Sequence, residues 1–371
     1  MPLSQTTSAA HSRFRRAPQF WERRGPLSLL LWPLSYLYGL VLRIRNLVGD
    51  IAWGRQASFP VPIIIVGNIR VGGTGKTPIV IALAEQLAQH GWKPGIISRG
   101  YGSQTQATPV SVNSQSDPTL VGDEPVLMAT RTHNRFPIWV HPQRKRTINA
   151  LLEHSPAVNV IISDDGLQHS GLSRWTAREG GRDIELVVRD ARGEGNGFLL
   201  PAGPLRESAQ RDRDATVMTG SNTEQLAKAL DYEGYFLGRR AFMARTSMGT
   251  PYQLCDHSRT QTLAEIARQY SAGNLVAVAA LGNPQRFFGE LQQHGLPVKG
   301  IPLADHATYT PAFFTGLHAA CILITEKDAV KCAGIDDERI WVVPQHVTLS
   351  AAFVEWIESI LHRPNPRGYT L

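Results

Sequence analysis

The chain has 371 residues, 42% hydrophobic and 19% charged, which is enough for one large or two smaller cores and excludes a disordered or coiled-coil chain. Its net charge of +7 asks for an anionic partner: nucleic acid, a lipid surface or a phosphorylated substrate. Cys255, Cys321 and Cys332 have no C-x-x-C spacing, which argues against disulfides and structural zinc and fits a reducing compartment.

Residues 1–26 form a basic tail with Arg13, Arg15, Arg16, Arg23 and Arg24, and the first dozen are expected to be disordered. Residues 27–42, LSLLLWPLSYLYGLVL, carry no charge and are closed by Arg43 and Arg45. The run is shorter than the ~20 residues of a comfortable membrane span. It lacks a small-x-small cleavage site, so a cleaved signal peptide fits poorly. Trp32, Tyr36 and Tyr38 suit the bilayer interface, and arginines on both flanks suit an anionic leaflet. A membrane-associated helix is expected over 27–50, with a kink at Pro33; a buried core helix is the alternative reading.

Residues 61–78 read VPIIIVGNIRVGGTGKTP. Ile63, Ile64, Ile65 and Val66 make a β-branched run that suits a buried parallel strand. A glycine-rich turn and Gly75-Lys76-Thr77 follow, then a helical pattern through Ile79, Leu83 and Leu87. Strand, loop and helix in that order form a phosphate-binding loop: backbone N–H groups face the phosphates at a helix N-terminus. Lys76 is expected to reach the β- and γ-phosphates and Thr77 to sit on Mg²⁺. The common pattern has a glycine where this chain has Arg70; the doublet Gly72-Gly73 places the loop nearer the GGxGK[ST] variant.

Residues 95–98 read as a strand that breaks into SRGYG, and Arg99 fits a phosphate contact and a plain solvated side chain equally. Residues 103–118 read as a loop. The dipeptide Asp123-Glu124 opens a helical stretch after Gly122, where a helix cap is the plainest role. Residues 137–141 and 157–163 read as strands, with a helix over 143–152 between them. The second strand enters Asp164-Asp165, which downstream of a phosphate loop is the Walker B arrangement for Mg²⁺. Residues 170–182 look like a surface insertion. Further strands are expected at 184–190, 215–219, 275–282, 320–325 and 340–343, and helices near 262–270 and over 351–361. Residues 195–207, GNGFLLPAGPLRE, form a glycine- and proline-rich loop carrying Arg206.

This alternation gives an α/β fold, a largely parallel sheet of the P-loop NTPase kind flanked by helices. The expected organisation is a kinase-like core over 51–250 and a smaller C-terminal α/β lobe over 251–371. With its motifs in order, the chain resembles the tetraacyldisaccharide 4′-kinases of the lipid A pathway. The resemblance rests on residues 66–78, SRGYG, GDEPVL, SDDGLQH, GNGFLLPAGPLRE, GNPQRFF, ADHATY and TEKDAVK, and covers roughly residues 27–335.

The resemblance implies transfer of the ATP γ-phosphate to the 4′-hydroxyl of a tetraacyldisaccharide 1-phosphate, giving lipid IVA. It implies a base role for Asp123, paired with His306 beside Asp305. It assigns the phosphate loop, from Arg70, Val71, Gly72, Gly73 and Thr74 through Gly75, Lys76 and Thr77, to ATP. It gives Thr77, Asp164 and Asp165 to Mg²⁺, without deciding which acid faces the metal. Arg99, Arg144, Gln168, His169 and Arg206 are its substrate-side candidates. The expected setting is a monomer on the cytoplasmic face of the inner membrane, against an anionic surface. A GTPase switch is disfavoured because TEKD carries Glu326 where base recognition wants Asn. Nucleic acid is disfavoured because the N-terminal basic residues sit beside apolar ones.

Overall fold

The computed structural model describes residues 18–53, 59–100, 107–168, 172, 174–221, 235–236, 238–270 and 273–364. The expectations for the first dozen residues, for residues 101–106, for His169 and for part of the 170–182 insertion lie outside them.

The first strand, β1 (Ile63–Gly67), is buried along its whole length. Each of its fully buried aliphatic side chains contributes ~1.5–3 kcal/mol relative to exposure. In chain order there follow β2 (Pro94–Ser98), β3 (Val110–Val112), β4 (Ile138–Val140), β5 (Val160–Asp164), β6 (Ile184–Asp190), β7 (Ala215–Gly220), β8 (Tyr235–Phe236) and β9 (Arg239–Met248). Beyond them lie β10 (Tyr252–Gln253), β11 (Leu275–Ala279), β12 (Lys299–Pro302), β13 (Cys321–Thr325), β14 (Ile340–Val343) and β15 (Gln345–Leu349).

Among the described residues the first sheet has the order β15-β9-β7-β6-β1-β5-β2-β4-β3, with β8 pairing β9. From β9 to β4 every ladder is parallel; β15, β8 and β3 pair antiparallel at or near the edges. The second sheet has the order β10-β14-β13-β11-β12, parallel except for β10. The fold is therefore the expected α/β, mostly parallel one. In the first sheet Val66 pairs with Asp164, which brings the ends of β1 and β5 to one edge. That edge, beyond the carboxyl ends of parallel strands, is where such sheets bind ligands.

The helices begin with α1 (Pro26–Trp53), which runs on past Pro33. Then come α2 (Lys76–Gln89), α3 (Pro118–Val121), α4 (Asp123–Arg131) and α5 (Arg144–His154). The later ones are α6 (Leu263–Gln269), α7 (Pro284–Gln293), α8 (Pro311–Thr315), α9 (Glu326–Ala329) and α10 (Ala351–Leu361).

The chain does not stay in the second lobe after residue 251, as the boundary 251–371 expected. It returns after Val343: β15 lies along β9, and α10 buries Phe353, Ile357, Ile360 and Leu361 in the core that holds Ile79 and Leu83. The strand that receives it, β9, sets four consecutive apolar residues, Ala241 to Ala244, between arginines, without the alternation that would mark a ten-residue strand.

The described part of the 170–182 segment is more than the expected surface insertion, because it is tied to the sheet. The Asp183 carboxylate accepts the N–H groups of Ile63 and Trp175, and Arg174 and Arg178 both reach buried Glu185.

Helix α1 buries Ser28 and Ser35 and exposes Leu29, Leu30, Trp32, Tyr36, Leu37 and Val41. Residues Pro26–Arg45 are long and apolar enough to cross a membrane by length and composition alone. The helix is fastened to the 195–207 loop. Ser35 Oγ donates to Leu199 O at 2.6 Å and accepts Ala202 N–H at 2.9 Å, and Tyr38 donates to Arg206 O at 3.2 Å.

Candidate functional site

The loop between β1 and α2 is held from beneath by Asn68, which no motif reading singled out. Asn68 Nδ2 donates to Arg70 O and Gly72 O, and Oδ1 accepts from Lys76 Nζ at 3.2 Å. Gly72 and Gly75 take φ values of 99° and 81°, which glycine adopts freely. Val71 N–H is tied to Pro204 O. Thr74 and Thr77 are buried, and Thr74 Oγ1 has no hydrogen-bond partner. Two arginines lie against the cradle. Arg192 donates to Gly73 O at 2.7 Å, and Arg286 reaches within 4.0 Å of the position a Cβ would take on Gly75. Arg192 belongs to no motif, and Arg286 lies within GNPQRFF without having been singled out, so the fold is what brings both here. The GNPQRFF loop also touches the cradle, since a Cβ on Gly282 would come 2.6 Å from Gly73 N.

Arg70 does not face the phosphate cradle, contrary to its expected nucleotide role. Its guanidinium is buried, donates to Arg192 O and Gly193 O, and pairs with Glu22. The side chain at the missing-glycine position thus points away and ties the loop to the N-terminal segment.

The acidic turn after β5 lies beside Lys76. Asp165 Oδ1 is 3.6 Å from Lys76 Nζ, and its Oδ2 is 3.4 Å from Arg206 Nη1. Burial pushes the Asp165 carboxyl up, but Lys76, Arg206 and Arg144 outweigh it and hold it below its ordinary value. Asp164 is fully buried, and burial together with the Glu124 charge pushes it up to about 7. Its Oδ1 has no hydrogen-bond partner. A buried carboxylate oxygen without a partner fits a divalent cation. No group of three or more His, Cys, Asp or Glu gathers for a metal among the described residues. Mg²⁺ asks for less, one or two carboxylates with phosphate oxygens and water, and Asp164, Asp165 and Thr77 supply that.

Arg144 serves the acidic turn through Nη2 alone, while its buried Nε and Nη1 have no hydrogen-bond partner. It is buried, burial lowers it to about 10, and it donates to the carbonyl oxygens of Asp164 and Asp165. It braces the acidic turn. Gln168 likewise donates to Asn68 O at 3.0 Å, a brace for the end of β1. Arg99 is exposed at the end of β2.

The other half of the site joins the two lobes, with Asp123 from the first and His306 from the second. Asp123 is 5% exposed at the first position of α4. Gly122, not Asp123, holds the N-cap position, and no side chain caps the helix; Asp123 Oδ1 accepts only the adjacent Glu124 N–H at 2.9 Å, while Oδ2 meets His306 Nδ1 at 3.0 Å. His306 takes a φ of 62° and Asp165 one of 49°, a left-handed backbone that persists where surrounding structure enforces it. The hydrogen bond to Asp123 raises His306 above its ordinary value. Burial pushes Asp123 up, and the His306 hydrogen bond with the Lys327 and Lys331 charges brings it below its ordinary value. Asp305 Oδ1 lies 3.8 Å from His306 Nε2 and 3.3 Å from Lys327 Nζ. A carboxylate–imidazole pair beside a phosphate loop and a buried acidic turn is equipped to serve a hydroxyl that attacks a phosphoryl group.

Comparison with known proteins agrees. The family described as Tetraacyldisaccharide-1-P 4′-kinase matches residues 27–362. A tetraacyldisaccharide 4′-kinase of Polynucleobacter asymbioticus is 66% identical over 360 residues, covering 97% of this chain and 99% of its own. One from Bordetella parapertussis is 44% identical over 352 residues, covering 93% and 96%. The crystal structure of LpxK from Aquifex aeolicus in complex with ATP superposes with a TM-score of 0.70 at 27% identity, over 91% of this chain and 100% of that one. By descent and by fold, this chain belongs to the tetraacyldisaccharide-1-phosphate 4′-kinase family.

Proposed function

We propose that this chain moves the γ-phosphate of ATP to the 4′-hydroxyl of a tetraacyldisaccharide 1-phosphate, using the Asp123–His306 pair for the hydroxyl and the cradle around Lys76 for the triphosphate. The kinase activity follows from family membership. The assignment of roles rests on one observation above the rest: 183 residues apart in sequence, Asp123 and His306 meet at 3.0 Å.

Asp123 accepts the hydroxyl proton, and His306 Nδ1 steadies the carboxylate. A carboxylate held below its usual range is a weak base. That suits a reaction accelerated mostly by positioning and by positive charge on the phosphoryl oxygens. Lys76 leaves Asn68 and Asp165 for the phosphates, with Arg192 and Arg286 at the rim. Thr77 with Asp164 or Asp165 would hold Mg²⁺, which would supply charge against the phosphate oxygens. Asp164 Oδ1 and Asp165 Oδ1 both lack a hydrogen-bond partner, so either acid can face the metal once Lys76 has turned to the phosphates.

The apolar face of α1 rests in an anionic leaflet on the cytoplasmic side of the inner membrane. The acyl chains stay in the bilayer and the sugar rises to the site. Exposed Leu29, Leu30, Leu37 and Val41, with Arg43 and Arg45 beyond them, support that placement.

The test is incubation of the chain with γ-labelled ATP, Mg²⁺ and a tetraacyl disaccharide 1-phosphate in mixed micelles, followed by chromatography. A labelled bisphosphate is expected. Label released only as inorganic phosphate would reject the lipid acceptor.

A further inference from the structure

One lysine of the second lobe sits among three carboxylates. Lys327 Nζ lies 3.0 Å from Glu124 Oε1, 3.3 Å from Asp305 Oδ1 and 3.9 Å from Asp123 Oδ2. Glu124 and Asp123 open α4 of the first sheet's lobe, and Asp305 precedes His306 in the second. The side chain is 15% exposed, and the three acids outweigh burial to keep the ammonium charged.

Its neighbours in sequence extend the contact. Glu326 takes Arg131, the last residue of α4, through both carboxylate oxygens at 2.8 and 2.7 Å. Two consecutive residues of α9 therefore grip the two ends of α4. The grip is itself anchored by Asp328, which is fully buried. It accepts from Tyr309 at 2.8 Å, from Thr325 Oγ1 at 2.6 Å and from the Ala280 N–H at 3.2 Å, and pairs with Lys331 at 3.0 Å. Asp328 thereby fixes α9 to the DHATY turn that carries His306.

We infer that Lys327 is a positioning residue: its ammonium holds Asp123 and His306 in register across the two lobes by binding the acids on either side of the pair. The inference rests on the reading of Asp123 as the base. A single ammonium reaching three acids from two lobes fixes their separation. Misplacing a base by about 1 Å costs on the order of 10²-fold in rate.

Steady-state kinetics on the full chain with Mg²⁺, ATP and the lipid acceptor test this. Lys327→Met is expected to lower kcat about 10²-fold with KM for ATP within about threefold. Lys327→Arg keeps the charge, but its planar fork does not reproduce the ammonium's three contacts, so kcat falls about tenfold at an unchanged melting temperature. Asp123→Asn combined with Lys327→Met is expected to be no slower than Asp123→Asn alone, because the lysine acts through the aspartate. A double variant that loses the product of the two single effects overturns the inference. So does a normal kcat for Lys327→Arg, or for Lys327→Met. A slow Asp123→Asn with a fast Lys327→Met rejects the positioning role alone; a fast Asp123→Asn rejects the base reading and this inference with it.

Discussion

Asp123 Oδ2 and His306 Nδ1 lie 3.0 Å apart, one at the start of a helix on the larger sheet and the other on a strained turn of the smaller one. With Asp123 as the proposed base, the contact would make proton acceptance depend on both lobes at once. Asp123→Ala removes the acceptor and leaves His306 without the carboxylate. We expect kcat to fall by on the order of 10²–10⁴ while KM for ATP changes little. A change confined to KM would mean that Asp123 binds rather than reacts.

Arg70 invites the opposite experiment. Restoring the glycine of the common phosphate loop, Arg70→Gly, looks like an improvement on paper. In this fold it strips the donors from Arg192 O and Gly193 O and the partner from Glu22. A loss of about 2–4 kcal/mol of stability is expected from the unpaired carbonyl groups, with KM for ATP held within about threefold. Thermal melting and ATP titration separate the two effects. A variant that melts normally but binds ATP poorly would return Arg70 to the nucleotide.

The phosphate loop and the acidic turn were legible in the sequence because each is local. A β-branched strand, glycines and a Lys-Thr pair carry their own geometry, and Asp164 ends a buried strand in register with Val66. What the sequence hid depends on chain crossing. Asn68 looks like any loop asparagine until its amide is seen to span Arg70 O, Gly72 O and Lys76. Arg144 looks like a surface cation on an amphipathic helix, yet its guanidinium turns under the acidic turn. The pairing of Asp123 with His306 came from family resemblance, since nothing in the spacing of the two residues demands it. The return of β15 to β9 was invisible because β9 lacks a clean alternation.

The exposed face of α1 predicts lipid dependence. Leu30 and Leu37 are 75% and 56% exposed and make no part of the helix's attachment to the 195–207 loop. Replacing both with Asp should cut sedimentation with anionic vesicles at least tenfold, since burying a side chain of this size is worth ~1.5–3 kcal/mol. The melting temperature should stay the same, because Ser35 and Tyr38 keep their bonds to Leu199 O, Ala202 N–H and Arg206 O. Undiminished sedimentation would count against the leaflet reading.

The Asp123–His306 pair also gives stability a pH signature. His306 is raised above 6.5 in the folded chain, first by its hydrogen bond to Asp123. Its contribution is therefore complete below pH 6.5 and disappears as pH rises through the folded value. Asp123 is lowered below 3.8: burial works against that, and the hydrogen bond from His306 with the Lys327 charge overcomes it. Its contribution is complete above pH 3.8 and is lost as pH falls through the folded value. Both are present together between those limits. His306→Gln removes the titrating ring while Asp123, Asp305, Lys327 and Lys331 stay. The difference in melting temperature between the parent chain and this variant should be widest near pH 5–6 and should narrow by pH 9. The imidazole is part-exposed, so the gap will be small and needs measurement at low ionic strength, where screening is weakest. A gap that stays constant from pH 5 to 9 would mean that folding leaves the His306 titration where it is in the unfolded chain, and the carboxylate would then owe its lowered value to Lys327 and Lys331.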